Sequence, residues 1–219
     1  MSRAIIKHAT CPGPAIEATP LKPKPPNPII PPMNTSKKSA VLLIDMQRDF
    51  WLKNASRDFP NLPKNTAQLL EKARLCGTDV IHIRVGFKAD RSDWPPLVWD
   101  DFGPLAASPE AEPEEWARER AGEKVFTKHS FDAFTTTTLE AHLRERGIEA
   151  LYVAGMLTSV CVLLSCATAH QLGFRPYLID ECCGDDDLQR HEWTKRTYQR
   201  LAFKVKTLEE ACGELDSGR

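Results

Sequence analysis

The chain has 219 residues, with 29 Lys and Arg against 30 Asp and Glu for a formal net charge of -1. That length suits one domain with a sizeable core, and the balanced charge offers no basic face to neutralise a run of phosphates, so nucleic acid is excluded as an expected partner. The 7 cysteines are odd in number, irregularly spaced and not preceded by a secretory leader pattern, which points to free thiols in a reducing, cytoplasmic setting.

Residues 1–38 hold 9 of the 17 prolines. Proline removes backbone donors and forbids regular helix or strand, so this stretch reads as an irregular arm, open to being a disordered tail, a partner-binding arm or a targeting segment. The regular pattern begins at Ser39 and is assigned to one domain, 39–219. "SAVLLIDMQ" is an apolar run ending in polar residues, as expected of a strand buried on both faces. "PKNTAQLLEKARLCG" has apolar residues at helical spacing between Pro63 and Gly77. "DVIHIRVGF" reads as a second strand and "EKVFTK" as a third. Between them lies a long segment, 88–121, rich in Pro, Trp and charge, which is either a lid or binding loop or a solvated insertion.

"TLEAHLRERG" follows as a helix, with Thr137 and Glu140 at capping-box spacing and Gly147 as its stop. "ALYVAG" is a fourth strand, "RPYLIDEC" a fifth, "RHEWTKRTYQRLA" a helix and "FKVKT" a weak sixth strand. Strands alternating with helices imply a parallel sheet covered on both faces. The uncharged stretch 150–169 is long enough for a membrane span. It divides at Gly155, however, into a strand-like part and a part whose Val160, Leu163, Leu164 and Ala167 repeat at helical spacing, so strand, turn and buried helix is the economical reading and no membrane is expected.

On that reading Cys161 sits in the first turn of a helix, where unpaired N–H groups and the helix dipole favour a thiolate. Open parallel sheets place their ligand crevice beyond the carboxyl ends of the strands. Asp45 ends the first strand, Lys128 the third, and Cys161 follows the fourth. Each alone has a plain structural alternative, as cap, solvated strand end or small core residue; their common placement at strand ends favours a site.

The segments "VLLIDMQRDF", "VFTKHSFDAF" and "YVAGMLTSVCVLLSCATAHQLGF", in this order and spacing, resemble the isochorismatase-like cysteine hydrolases, a family that includes nicotinamidases and N-carbamoylsarcosine amidohydrolases. "LIDECCGDDDLQRHEWT" resembles the family's later strand and the loop after it. The resemblance covers roughly 39 to 212. It implies a three-layer Rossmann-like α/β fold with a six-stranded parallel sheet in the order 3-2-1-4-5-6, and a catalytic triad of Asp45, Lys128 and Cys161. It also implies a cis peptide joining Leu157 to Thr158, with Leu157, Thr158 and Cys161 forming an oxyanion hole. A homo-oligomeric assembly is expected. In the implied chemistry Lys128 stabilises the thiolate, Asp45 takes its proton, and the sulfur attacks an amide or ureido carbonyl to form a thioester.

The family's nicotinamidases carry a metal held by an aspartate and histidines beyond the second strand. Here no histidine follows His82 in that region, and His82 itself reads as a packed strand residue, so neither a metal nor any other cofactor is expected. Phe50, Trp51 and Phe134 are candidates to wall a small-molecule site, and Arg84, Lys88 or Arg91 to hold a substrate carboxylate; the alternatives are core aromatics and solvated charges. Cys182 and Cys183 suggest packing more than redox chemistry, because adjacent cysteines rarely reach easy disulfide geometry. Two further functions stay open: a noncatalytic interaction module and a thiol redox protein.

Overall fold

The computed structural model describes residues 38–51, 54–90, 92–94, 111–135 and 137–217. The proline-rich arm apart from Lys38, and half of the 88–121 insertion, Arg91 and 95–110, therefore lie outside the described residues.

Six parallel strands form one sheet in the order β3-β2-β1-β4-β5-β6, as the resemblance implies. They are β1 (Ser39–Ile44), β2 (Asp79–Val85), β3 (Lys124–Lys128), β4 (Ala150–Met156), β5 (Arg175–Gly184) and β6 (Lys204–Lys206). The central strands read as unbroken apolar runs because they are buried on both faces; every residue of β4 is buried. The helices are α1 (Arg48–Trp51), α2 (Asn54–Asp58), α3 (Leu62–Leu75), α4 (Leu139–Glu145), α5 (Leu163–Gln171), α6 (Leu188–Tyr198) and α7 (Leu208–Ser217). A π-helical turn, Thr158–Val162, joins β4 to α5.

Alternation along each strand divides the core in two. Leu42, Ile44, Ile81, Ile83, Leu151, Val153 and Cys183 pack with residues of α4 and α5 on one face. Val41, Leu43, Tyr152, Ile179 and Cys182 pack with residues of α3 and α7 on the other. Cys182 and Cys183 thus point to opposite faces, both buried, and the described cysteines are free thiols. Among the described residues no helix is long and apolar enough to cross a membrane.

Three local features differ from expectation. The uncharged stretch does not divide at Gly155: β4 runs on through it to Met156, which pairs with Gly184 of β5. A Cβ at position 155 would stand 2.5 Å from the Ile44 carbonyl oxygen, so glycine here serves the close approach of β1 to β4. The expected capping box at α4 is not made among the described residues: Thr137 Oγ1 accepts from the Leu139 amide, not from that of Glu140, and the N-cap residue is Thr138, which makes no side-chain cap bond. Helix α7 and the short helices α1 and α2 are additions to the elements read from the sequence.

Candidate active site

The carboxyl ends of β1, β3 and β4 bring the three expected residues together. Asp45 directly follows β1; its φ of 51° turns the chain off the strand, and its amide still donates to the Ile83 carbonyl at 2.9 Å. Lys128 ends β3, where its side chain is fully buried, a position lysine takes only with a partner. Its Nζ lies 2.8 Å from Asp45 Oδ2, 3.4 Å from Cys161 Sγ and 2.8 Å from the Ser130 carbonyl oxygen, to which it donates. One ammonium therefore bridges a carboxylate and a thiol, with its third proton fixed by the chain.

The electrostatics follow from burial. Asp45 is fully enclosed, and loss of water pushes its carboxyl above the ordinary range despite Lys128. Burial, and after it the Asp45 charge, pushes the Cys161 thiol well up, against the pull of Lys128. Burial works against the charge of Lys128, but Asp45 and Cys161 outweigh it and keep the ammonium more firmly protonated than usual. Burial thus works against the thiolate expected from the sequence, and Asp45 and Cys161 titrate as a coupled pair beside the Lys128 cation. Asp45 Oδ2 faces the Lys128 ammonium, and the carboxylate has further lone pairs able to take the thiol proton.

Cys161 also lies in a different turn from the one expected. The segment is a π-turn, closed by Val162 N donating to Leu157 O at 3.1 Å, and α5 begins only at Leu163. Single π-turns of this kind recur at functional sites. The cis peptide joins Met156 to Leu157, one peptide earlier than Leu157–Thr158. Within the turn the Ser159 amide donates to Asp185 Oδ2 at 2.7 Å, and the Val160 and Val162 amides donate to the Leu157 carbonyl. These bonds leave the Thr158 and Cys161 amides outside them, and they spend the Leu157 carbonyl on holding the turn.

The other sequence candidates fall in several places. Phe50 packs beside Val85, Phe87, Trp94 and Phe131 in a small cluster beyond the end of β2. Trp51 meets Trp116 edge-on with ring centroids 5.6 Å apart. Phe134 stacks on Phe174 in the core of the α4 and α5 face. Arg84 pairs with Glu119, which commits its charge, and His82 is buried 2.8 Å from Glu123, the packed role expected of it. The Lys88 amide donates to Asp93 Oδ1. Among the described residues no three His, Cys, Asp or Glu side chains gather to hold a metal ion.

Several residues that organise the site have no local sequence signal. Gln47 is buried; its Nε2 donates to the carbonyls of Val85 at 3.0 Å and Ala111 at 2.7 Å, and its Oε1 accepts from the Val85 amide at 2.9 Å. It ties the ends of β1 and β2 to the returning limb of the insertion. Asp185, fully buried, accepts from Ser159 and pairs with Arg190. His191 reaches from α6 to the Thr158 hydroxyl.

Comparison with known proteins bears on the family and the fold. A family model described as "Isochorismatase domain" matches residues 39–210. The maleamate amidohydrolase of Pseudomonas putida is 33% identical over 168 residues, covering 71% of this chain and 76% of the relative. The crystal structure of a cysteine hydrolase from Pseudomonas syringae pv. phaseolicola superposes with a TM-score of 0.76 at 20% identity, covering 86% of this chain and 96% of the other. N-carbamoylsarcosine amidase from Thermoplasma acidophilum superposes with a TM-score of 0.66 at 20% identity, covering 78% and 97%.

Proposed function

The chain belongs to the isochorismatase family, and from that premise we propose that it is a metal-independent cysteine hydrolase cleaving a carbon–nitrogen bond of a small amide or ureido compound. The observation that carries the reading is the buried Lys128 ammonium in contact with both Asp45 and Cys161. A lysine, an aspartate and a cysteine enclosed together cost more in desolvation than an apolar core of the same size, and their chemistry accounts for that cost.

In the first half-reaction the thiol proton passes to Asp45 as the sulfur attacks the carbonyl carbon, while Lys128 stabilises the negative charge on either partner. The oxygen of the tetrahedral adduct takes hydrogen bonds from the Thr158 and Cys161 amides. Collapse breaks the carbon–nitrogen bond, Asp45 returns the proton to the departing nitrogen, and a thioester on Cys161 remains. In the second half Asp45 takes a proton from water, the hydroxide attacks the thioester carbonyl, and the sulfur leaves and recovers its proton from Asp45. No step needs a metal.

The test is ammonia release from a panel of maleamate, nicotinamide and N-carbamoyl amino acids. Maleamate is included because a relative named for it is 33% identical. Turnover of at least one compound is expected, lost in Cys161→Ala with the fold retained, and acid quench should leave an acyl group on the Cys161 peptide. Full activity in Cys161→Ala would overturn the proposal.

A further inference from the structure

His191 projects from α6 into the turn that carries the nucleophile, and its side chain is 3% exposed. Its Nδ1 is 2.8 Å from Thr158 Oγ1, and the same hydroxyl lies 2.9 Å from the Gly184 carbonyl oxygen. The hydroxyl has one proton and the carbonyl can only accept, so that proton goes to Gly184; two acceptor oxygens this close without it would repel. The remaining contact is then satisfied only if His191 Nδ1 carries a hydrogen and donates it to Thr158.

The opposite side of the ring is also defined. His191 Nε2 lies 3.6 Å from Asp180 Oδ1 and 3.8 Å from Glu192 Oε1, Lys195 pairs with the same Asp180, and the ring meets Phe59 edge-on with centroids 4.9 Å apart. The Thr158 side chain is thus gripped by β5 through Gly184 and by α6 through His191. The triad chemistry uses none of these groups, and an apolar residue would fill the same space without the cost of burying an imidazole.

We infer that His191 is a positioning residue: its Nδ1–H fixes Thr158, and through Thr158 the backbone amide that receives the developing oxyanion. The inference rests on the cysteine hydrolase reading, since it gives the Thr158 amide its role. A donor displaced by about 1 Å costs on the order of 100-fold in rate, and the loss falls on the transition state.

The experiment compares His191→Leu with His191→Asn, whose amide N–H can replace Nδ1–H, using steady-state kinetics on the best substrate of the panel and circular dichroism. His191→Leu should lower kcat by roughly 10- to 100-fold with KM changed far less, and His191→Asn should recover most of it. Thr158→Val, which removes the hydroxyl at constant shape, should reproduce the kcat loss, and adding His191→Asn to it should change little more; this arm decides the matter if His191→Leu does not fold. Equal losses in the Leu and Asn variants, or a folded Thr158→Val with wild-type kcat, would overturn the positioning role while an inactive Cys161→Ala left the hydrolase reading standing. An active Cys161→Ala would overturn both.

Discussion

Replacing Asp45 by Asn should stop hydrolysis and at the same time make Cys161 a stronger acid. Lys128 Nζ lies 2.8 Å from Asp45 Oδ2 and 3.4 Å from Cys161 Sγ, so the carboxylate oxygen and the sulfur are at most about 6.2 Å apart. At an effective dielectric of about 20, two like charges at that distance repel by at least about 2.7 kcal/mol, equivalent to about two pH units. Asn removes this repulsion and leaves the Lys128 attraction in place. The pH at which iodoacetamide alkylation of Cys161 reaches half its limiting rate should therefore fall by about two pH units, read by mass spectrometry of the Cys161 peptide across a pH series. Turnover should fall by about 10²- to 10⁴-fold, the usual contribution of a positioned proton carrier. An unchanged alkylation midpoint would show that Cys161 feels no charge on Asp45, and would refute the coupling of the pair. A midpoint that rises would refute the electrostatics altogether.

Turnover should survive overnight dialysis against EDTA, because the described residues gather no metal-binding trio; loss of activity restored by zinc or iron would contradict this. Gly155→Ala should destabilise the fold by about 1–3 kcal/mol in urea unfolding, since its Cβ would stand 2.5 Å from the Ile44 carbonyl oxygen; an unchanged midpoint would show that β1 and β4 part easily. Gln47→Leu should cost at least about 2 kcal/mol, because it strips partners from the Val85 amide and carbonyl and from the Ala111 carbonyl, and it should lower kcat by loosening the chain beside Asp45. A stable variant with full activity would remove Gln47 from the account of the site.

What could be read from the sequence divides by whether a residue's role depends on neighbours in the chain or in space. The strands were legible because burial on both faces writes itself as unbroken apolar runs, and Asp45 and Lys128 stood out as polar residues closing such runs. Strand order came from the resemblance, since periodicity does not say which strand lies beside which. The end of β4 is set by pairing of Met156 with Gly184 across the sheet, which no local pattern records, so Gly155 reads as a break where the strand continues. Gln47, Asp185 and His191 act across 38, 26 and 33 positions of chain respectively, so their neighbours in sequence carry no trace of their partners. Helix α7 is a different case, for its signal was local: Thr207 and Glu210 form a reciprocal capping box, with Glu210 N donating to Thr207 Oγ1 at 3.1 Å and Thr207 N donating to Glu210 Oε2 at 2.8 Å. The same spacing at Thr137 and Glu140 is not completed. A capping motif in sequence is thus permission for a helix start; the tertiary packing decides whether it is used.

The two limbs of the 88–121 insertion are anchored separately from whatever lies between them. On the outgoing side Trp94 Nε1 donates to the Lys88 carbonyl and packs with Phe87. On the returning side Glu114 N donates to Met46 O, Arg48 N donates to Glu112 O, and Gln47 holds Ala111. The groups that steady the chain beside Asp45 thus come from Gln47, Val85 and the limb that begins at Ala111. For a protein engineer this makes 111–114 part of the fixed frame around Asp45, to be kept together with the end of β1.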